Sequence, residues 1–290
     1  MGAVVVSYNA APLLGDCLQS LRDEGVEEIV VVDNASVDGS PAVARQTVPP
    51  ATVIDAGRNL GYGAGANRGL AAVTAPMVLV MNPDVVLQPG SVATLVADLD
   101  THAGTAVVGP ALENPDGSLY PSVRRFPSVV DSVGHGFLGL IWRRNRFSRN
   151  YLMLEWDHTT AREADWVSGA CFLARTDALR QVGGFDEDFF MYSEDVDLCW
   201  RLGRHGWSVR YQPAARVLHL QGASSARHPY RMLVAHHVSL LRFANRTTTG
   251  SRRALLPVVA AGLATRAGLL AARQALGRSR WAPGPAGSAE

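Results

Sequence analysis

The chain has 290 residues, 27 basic and 26 acidic side chains and a formal net charge of +1, and 47% of it is hydrophobic. That is enough apolar material for one large core, or a core with appendages, without help from disulfides. Its three cysteines, Cys17, Cys171 and Cys199, fall at unrelated spacings, which excludes a zinc or redox motif and leaves reduced thiols in a cytoplasmic protein as the expectation.

Met1-Gly2-Ala3 leads directly into valines, without the basic and then apolar layout of a signal peptide. Val4–Val6 reads as a strand and Pro12–Leu21 as a helix with Leu13, Leu14, Cys17, Leu18 and Leu21 on one face. Glu28–Val32 is a second strand, followed by a helix from near Asp38. Thr52–Ile54 is a third strand, Ala64–Val73 a helix and Met77–Met81 a fourth strand. Pro89 suits the first position of a helix running to Leu99. Continuous Val/Ile runs joined by helices predict a mostly parallel sheet buried on both faces. Ligands of such sheets gather at the carboxyl ends of the strands.

Beyond residue 107 the pattern changes. Val107–Leu112 and Ser118–Tyr120 flank an Asn114-Pro115-Asp116-Gly117 turn, and 128–163 is arginine- and aromatic-rich. Trp166–Arg175 returns to strand character, Glu194–Arg204 is helical, and a longer helix is expected over His228–Ala244. Ala254–Ala272 approaches the apolar length of a membrane span, but its Arg266, Pro257 and alanine content predict a surface helix. The last ten residues read as a disordered tail. All 27 basic residues are arginine, and from Ser251 to Arg280 six arginines occur with no acid. Nothing marks a nucleic-acid partner.

The residues after the strands carry the chemistry. Strand one ends in Ser7-Tyr8-Asn9, and strand two in Asp33, placed to accept hydrogen bonds from a base or ribose. Asp38 reads as a helix cap. Strand three is followed by Asn59-Leu60-Gly61-Tyr62-Gly63, then Gly65 and Asn67, where glycines permit close approach to a phosphate. A dinucleotide fingerprint would follow strand one instead. Asp84, in Asn82-Pro83-Asp84, either ends a plain turn or holds a divalent ion against a diphosphate. Glu194 and Asp197 are placed as helix-start acids, whereas Asp195 shares the stripe of Leu198, Cys199 and Leu202. Partial desolvation there raises its pKa and suits a general base. His219, at the end of the strand through Tyr211–Leu218, is a candidate metal ligand, and His236-His237 read as structural.

In this order, Val5-Val6-Ser7-Tyr8-Asn9, Val32 to Ser40, Asn59-Leu60-Gly61, Asn82-Pro83-Asp84, and Glu194-Asp195 with His219 resemble the family 2 glycosyltransferases of the GT-A fold, over roughly Ala3 to Ser224. Asn59–Gly63, Asn114–Ser122 and Phe190–Leu198 are most similar to actinobacterial rhamnosyltransferases that act on lipid-linked N-acetylglucosamine.

The resemblance implies a GT-A domain over 1–225 with a donor half to about residue 110 and an acceptor half beyond. A helical extension over 226–280, membrane-proximal or dimerising, and a tail over 281–290 would follow. It implies L-rhamnose transfer from dTDP-β-L-rhamnose to the 3-hydroxyl of GlcNAc-diphospho-polyprenol, as in building the cell-wall arabinogalactan linkage unit. Val6, Ser7, Tyr8, Asp33, Asn59, Gly61, Asn67, Asn82 and Asp84 would line the donor. Asp84 and His219 would hold Mg2+ or Mn2+, Asp195 beside Glu194 would be the base, and Trp166, Ser168 and Gly169 would face the acceptor.

Many members carry aspartate at the position of Asn82, which leaves this metal site one charge short. The lipid acceptor implies peripheral attachment to the inner face of the plasma membrane. Phe137–Trp142 with Arg143 and Arg144, and the Leu255–Leu276 helix, are candidate contacts with that surface or with a second copy. Rival readings are another donor on this fold (UDP-galactofuranose or UDP-GlcNAc), a sugar nucleotidyltransferase, and a nucleotide-sugar-binding protein without turnover.

Overall fold

The computed structural model describes residues 1–47, 51–126, 142, 145–151, 153, 155–220 and 229–277. Twelve strands occur among the described residues: β1 (Gly2–Ser7), β2 (Glu28–Asp33), β3 (Thr52–Asp55), β4 (Met77–Met81), β5 (Val85–Leu87), β6 (Thr105–Glu113), β7 (Leu119–Tyr120), β8 (Val123–Arg124), β9 (Arg162–Ala164), β10 (Trp166–Val167), β11 (Cys171–Arg175) and β12 (Ser208–His219). The helices are α1 (Ala11–Asp23), α2 (Ser40–Thr47), α3 (Tyr62–Ala72), α4 (Ser91–Thr101), α5 (Arg146–Tyr151), α6 (Thr176–Gln181), α7 (Glu194–Arg204), α8 (Pro229–Thr247) and α9 (Leu256–Ala275).

Ten strands form one sheet along the path β3-β2-β1-β4-β11-β6-β12-β5, with β7 on β6 and β9 on β12. β3, β2, β1 and β4 run parallel. β11 is inserted antiparallel between β4 and β6, and β12 runs parallel to β6. Every residue of β1 and β6 is buried, as continuous Val/Ile runs require when both faces are covered. Alternation divides those valines: Val4, Val6, Val30 and Val32 pack beneath α3, α7 and α8, while Ala3, Val5, Ile29 and Val31 pack with α1 and α4.

Several elements differ from the sequence pattern. α4 begins at Ser91 after a left-handed Gly90, and not at Pro89. The cause is distant in sequence: the Glu24 carboxylate accepts the Gly90 and Val92 amides at 2.7 and 2.8 Å, fixing where the first turn starts. α3 begins at Tyr62, ahead of Ala64. The expected strand Trp166–Arg175 breaks at Ser168–Ala170, with β10 pairing β8 and β11 joining the main sheet. β5 and α6 were hidden because each is short. The Asn114–Gly117 turn joins β6 to β7 as expected.

The C-terminal helices are present as α8 and α9. No residue of α9 is buried, and the segment Gly250–Ala275 is long and apolar enough to cross a membrane by length and composition. The proposed Phe137–Ile141 wedge, Arg143 and Arg144, the start at His228 and the 281–290 tail lie outside the described residues.

Candidate active site

The register brings the candidate residues to one edge. Ser7 pairs with Asp33 and Val5 with Met81, so β1, β2 and β4 end together. Because β11 runs the opposite way, Cys171 opposite Met81 puts Ser168–Ala170 at that same edge. β12 ends there too, with His219 opposite Val85. The strand order reverses between β2-β1 and β1-β4, where such sheets form a crevice.

At the β1/β2 end, Asp33 is 3% exposed and takes the Ser36 amide on Oδ2 at 2.9 Å. Asp33 Oδ1, Ser7 Oγ and Asn34 Oδ1 are buried without a hydrogen-bond partner among the described residues. A buried polar atom costs about 1–3 kcal/mol when unpaired, so these three mark a place built to meet polar groups of a ligand. Asn34 Nδ2 donates to the Gly61 carbonyl at 2.9 Å. Asn59 Oδ1 accepts the Gly61 amide at 2.9 Å, and Gly61 adopts φ +90°. A Cβ on Gly61 would lie 2.1 Å from the Phe190 carbonyl oxygen, so only glycine lets the two loops touch. Tyr8 is partly buried beside this edge. Asp38 caps as the sequence reading favoured, accepting Ala11 N–H at 3.1 Å and Ser40 Oγ–H at 2.6 Å.

Two donor-side residues engage their side chains within the protein. Val6 packs its side chain in the core against Gly65, as strand alternation dictates, so only its backbone is left for a ligand. Asn67 spends its amide inside the protein, donating to the Phe185 carbonyl at 2.8 Å and to Glu187 at 3.0 Å, and accepting the Phe185 amide at 2.8 Å.

Asp84 and His219 meet because β5 pairs with β12. His219 Nε2 lies 3.5 Å from Asp84 Oδ1, and their side chains are 10% and 13% exposed. Asp84 Oδ1 and His219 Nδ1 are both buried without a hydrogen-bond partner among the described residues. Tyr120 stands edge-on to the imidazole with ring centroids 5.5 Å apart. Asn82 is partly buried, and its backbone N–H donates to the Ala170 carbonyl at 2.9 Å.

Helix α7 presents the acids. Glu194 is 6% exposed, and its Oε2 is buried without a hydrogen-bond partner among the described residues. Burial and the neighbouring Asp195 push its carboxyl well above the ordinary range. Asp195 is partly buried and also raised by desolvation, with the Gly169 and Val196 amides opposing the shift. Its Oδ2 accepts Gly169 N–H at 2.8 Å, and its Oδ1 accepts Val196 N–H at 2.8 Å. The Gly169 carbonyl accepts the Tyr62 hydroxyl at 2.5 Å. A Cβ on Gly169 would come within 3.5 Å of both Asp195 and Tyr62, so this glycine allows all three to crowd together. Glu194, Asp195 and Asp84 all act on Tyr62, whose hydroxyl is raised far above its usual range, first by burial. Tyr62 is thus within electrostatic reach of both the acids of α7 and Asp84.

Of the acceptor-side residues, Trp166 needs correction. It is 5% exposed and its indole N–H donates to the Arg125 carbonyl at 2.9 Å, so it supports the site from within. Ser168 and Gly169 do lie at the edge, where Ser168 Oγ accepts Ala170 N–H at 3.2 Å. Sequence reasoning missed Tyr62, Tyr120 and Arg124. The last two sit on two-residue strands with no readable period.

Backbone strain precedes the acids: Tyr192 and Ser193 have φ +68° and +64°, and side chains other than glycine seldom adopt such values. Helix α8 clamps this segment. Ser239 Oγ donates to the Met191 carbonyl at 2.9 Å, and Arg246 bridges the fully buried Asp197 (2.6 Å) and Asp186. Asp197 also takes Arg201 at 2.7 Å, so the helix-start reading gives way to a buried ion-pair network.

A family model for "Glycosyltransferase like family 2" matches residues 1–233. This chain belongs to that glycosyltransferase family. The chain is 39% identical, over 96% of its length and 94% of the relative's, to the N-acetylglucosaminyl-diphospho-decaprenol L-rhamnosyltransferase of Mycobacterium tuberculosis. It is 24% identical to rhamnosyltransferase WbbL of Escherichia coli K12, covering 74% of this chain and 81% of that one. Among solved structures, the mannosyltransferase PcManGT of Pyrobaculum calidifontis in complex with GDP-Man and Mn2+ matches with TM-score 0.57 and 19% identity, covering 94% of this chain and 74% of that one. S. aureus TarS 1-349 matches with TM-score 0.55 and 16% identity, covering 94% and 72%. These neighbours fix the GT-A glycosyltransferase fold: a central sheet of mostly parallel strands flanked by helices, here with C-terminal helices added.

Proposed function

We propose that this glycosyltransferase moves L-rhamnose from dTDP-β-L-rhamnose to the 3-hydroxyl of a polyprenyl-diphosphate-linked GlcNAc, with inversion. The observation that carries the reading is the 39% identity, over nearly the whole of both chains, with the mycobacterial rhamnosyltransferase. The gathering of Asp33, Asp84, His219 and Asp195 at one sheet edge supports it.

In this reading Asp195 accepts the proton of the acceptor hydroxyl. The freed oxygen forms a bond to the anomeric carbon, the bond from that carbon to the diphosphate breaks, and dTDP leaves with the electron pair. One displacement of this kind turns a β donor into an α-linked product. Burial and the neighbouring Asp195 charge both disfavour ionisation of Glu194. Asp33, with Ser7 and Asn34, receives the nucleoside, and the Asn59–Gly61 turn lies along its phosphates.

Asp84 and His219 suit a divalent cation such as Mg2+ or Mn2+, since Asp84 Oδ1 is buried without a protein hydrogen bond and His219 Nε2 faces it from 3.5 Å. When bound there, the ion neutralises charge on the departing diphosphate. Among the described residues no group of three or more His, Cys, Asp or Glu side chains is placed to hold a metal ion. The diphosphate and water would thus complete the coordination, as is usual for Mg2+.

The acceptor's lipid places the protein at the inner face of the plasma membrane. Helix α9 exposes Val258 and, just past its end, Leu276 at 68% and 66%. Arg252, Arg253 and Arg273 accompany it without a single acid, while Arg266 packs against His237 of α8 at 3.0 Å. Apolar contact plus basic charge gives peripheral attachment, each arginine adding about 1 kcal/mol near anionic lipid. Homodimerisation is the competing use of the same helix, and a mass measurement in solution separates the two.

The test is transfer from dTDP-rhamnose to a short-chain GlcNAc-diphospho-lipid, with UDP-GlcNAc and UDP-galactofuranose as competing donors and EDTA as a further arm. Rhamnosyl product that EDTA suppresses and Mn2+ restores is expected. Transfer from a UDP-sugar alone would overturn the donor assignment.

A further inference from the structure

Tyr62 has no part in the transfer step, yet its side chain reaches the residue that carries the base. It is the first residue of α3, directly after the Asn59–Gly61 turn, and it is buried. Its backbone N–H donates to the Phe190 carbonyl at 3.1 Å, and its ring stands edge-on to Phe185 with centroids 6.0 Å apart. So fixed, its hydroxyl donates to the Gly169 carbonyl at 2.5 Å. Gly169 in turn donates its N–H to Asp195 Oδ2 at 2.8 Å. A Cβ added to Gly169 would lie 3.3 Å from the Asp195 Cβ, and 3.5 Å from both Asp195 Oδ2 and Tyr62 Cε1. The three residues are therefore in direct contact.

We propose that Tyr62 is a positioning residue for the base: its hydroxyl locks Gly169, and the locked Gly169 N–H sets where the Asp195 carboxylate points. The proposal rests on the reading of Asp195 as base. The chain on either side of Gly169 is held by backbone hydrogen bonds, from Ser168 N–H to the Ser122 carbonyl at 2.7 Å and from Asn82 N–H to the Ala170 carbonyl at 2.9 Å. Gly169 itself belongs to neither β10 nor β11, and a residue without a side chain has the widest backbone freedom. The Tyr62 hydroxyl removes that freedom at the one residue whose amide holds the carboxylate. Tyr62 does not exchange a proton with the substrate, because its hydroxyl proton is spent on Gly169 and burial raises that hydroxyl far above its usual range. A reacting group displaced by about 1 Å loses on the order of 100-fold in rate, so a hydrogen bond once removed from the carboxylate still bears on turnover. Because Tyr62 directly follows Gly61, it also ties the donor turn to the mount of the base.

The experiment is a double-mutant cycle in turnover at saturating donor, acceptor and Mn2+, with the wild type, Y62F, D195N and Y62F/D195N. Y62F removes one oxygen and keeps the ring against Phe185. It is expected to lower turnover about tenfold, with the donor Kd and the acceptor KM unchanged. In the D195N background the same change is expected to cost nothing further, since the group it positions is gone. G169A serves if Y62F does not fold: its methyl presses on Asp195 and Tyr62 together, and it too is expected to lower turnover in the wild type and not in D195N. An equal loss from Y62F in both backgrounds would make Tyr62 merely structural. Unchanged turnover with a raised donor Kd or acceptor KM would make it a substrate ligand, and either result overturns the proposal. D195N alone separates the two failures. Near-normal turnover in D195N means that the base assignment itself fails, whereas a collapse in D195N with no effect of Y62F removes only the role of Tyr62.

Discussion

The Asp195 carboxylate accepts the backbone N–H of Gly169 at 2.8 Å, which ties the first turn of α7 to the break between β10 and β11. That contact explains why the expected strand through residues 166–175 is interrupted. The interruption turns a strand into a mount for a side chain at the edge where β1, β2 and β4 end.

The proposed metal site, with Asn82 where a further carboxylate could stand, is short of charge, and this is testable. Asp84→Asn and His219→Ala should each raise the Mn2+ concentration for half-maximal activity at least about tenfold, equivalent to about 1.4 kcal/mol of lost binding. Asn82→Asp, adding a carboxylate beside the pair, should lower it. Direct titration of Mn2+ binding gives the same order without relying on turnover.

Asp33 keeps one oxygen on Ser36 and leaves the other buried and unpaired among the described residues. Asp33→Asn can retain the Ser36 contact while losing the charge. The donor Kd should rise about 10- to 100-fold, the range for one hydrogen bond to a charged group. Turnover at saturating donor should change little, and equilibrium titration with dTDP checks the binding half.

Glu194 and Asp195 both have raised carboxyl pKa values in the folded protein. The folded state thus binds protons more tightly than the unfolded chain, and stability from these groups is full at acid pH. It is lost as pH rises from the ordinary carboxyl range through the raised folded values. Glu194→Gln, which mimics the protonated acid, should be more stable than the wild type at neutral pH, with the gap closing toward acid pH. Denaturant unfolding across a pH series measures this, and a gap independent of pH would contradict it.

The sequence made the sheet and the edge legible because both depend on local signals. Valine runs mark buried strands, and a polar residue directly after a run marks the strand end, which is how Ser7, Asp33, Asp84 and His219 stood out. Asp195 was visible from helical spacing alone. What stayed hidden depends on contacts between distant segments. The start of α4 at Ser91 is set by Glu24, and the capture of Asn67 by Phe185 arises across the fold. Trp166, expected on the acceptor side, is buried by the pairing of β10 with β8. In the sequence Tyr62 is only part of a glycine-rich loop, and its contact with Gly169 bridges parts of the chain that share no local pattern. Asp197 resembled a helix-start acid until Arg246, from α8, reached it.

The central claim is that Asp195 removes the acceptor proton while other residues hold the donor. The most direct measurement compares turnover and dTDP-sugar affinity for Asp195→Asn and the wild type at saturating Mn2+. Turnover should fall by at least ~100-fold, in the range for loss of a general base, with the donor Kd unchanged. Near-normal turnover in Asp195→Asn would contradict the account, as would a loss confined to donor binding.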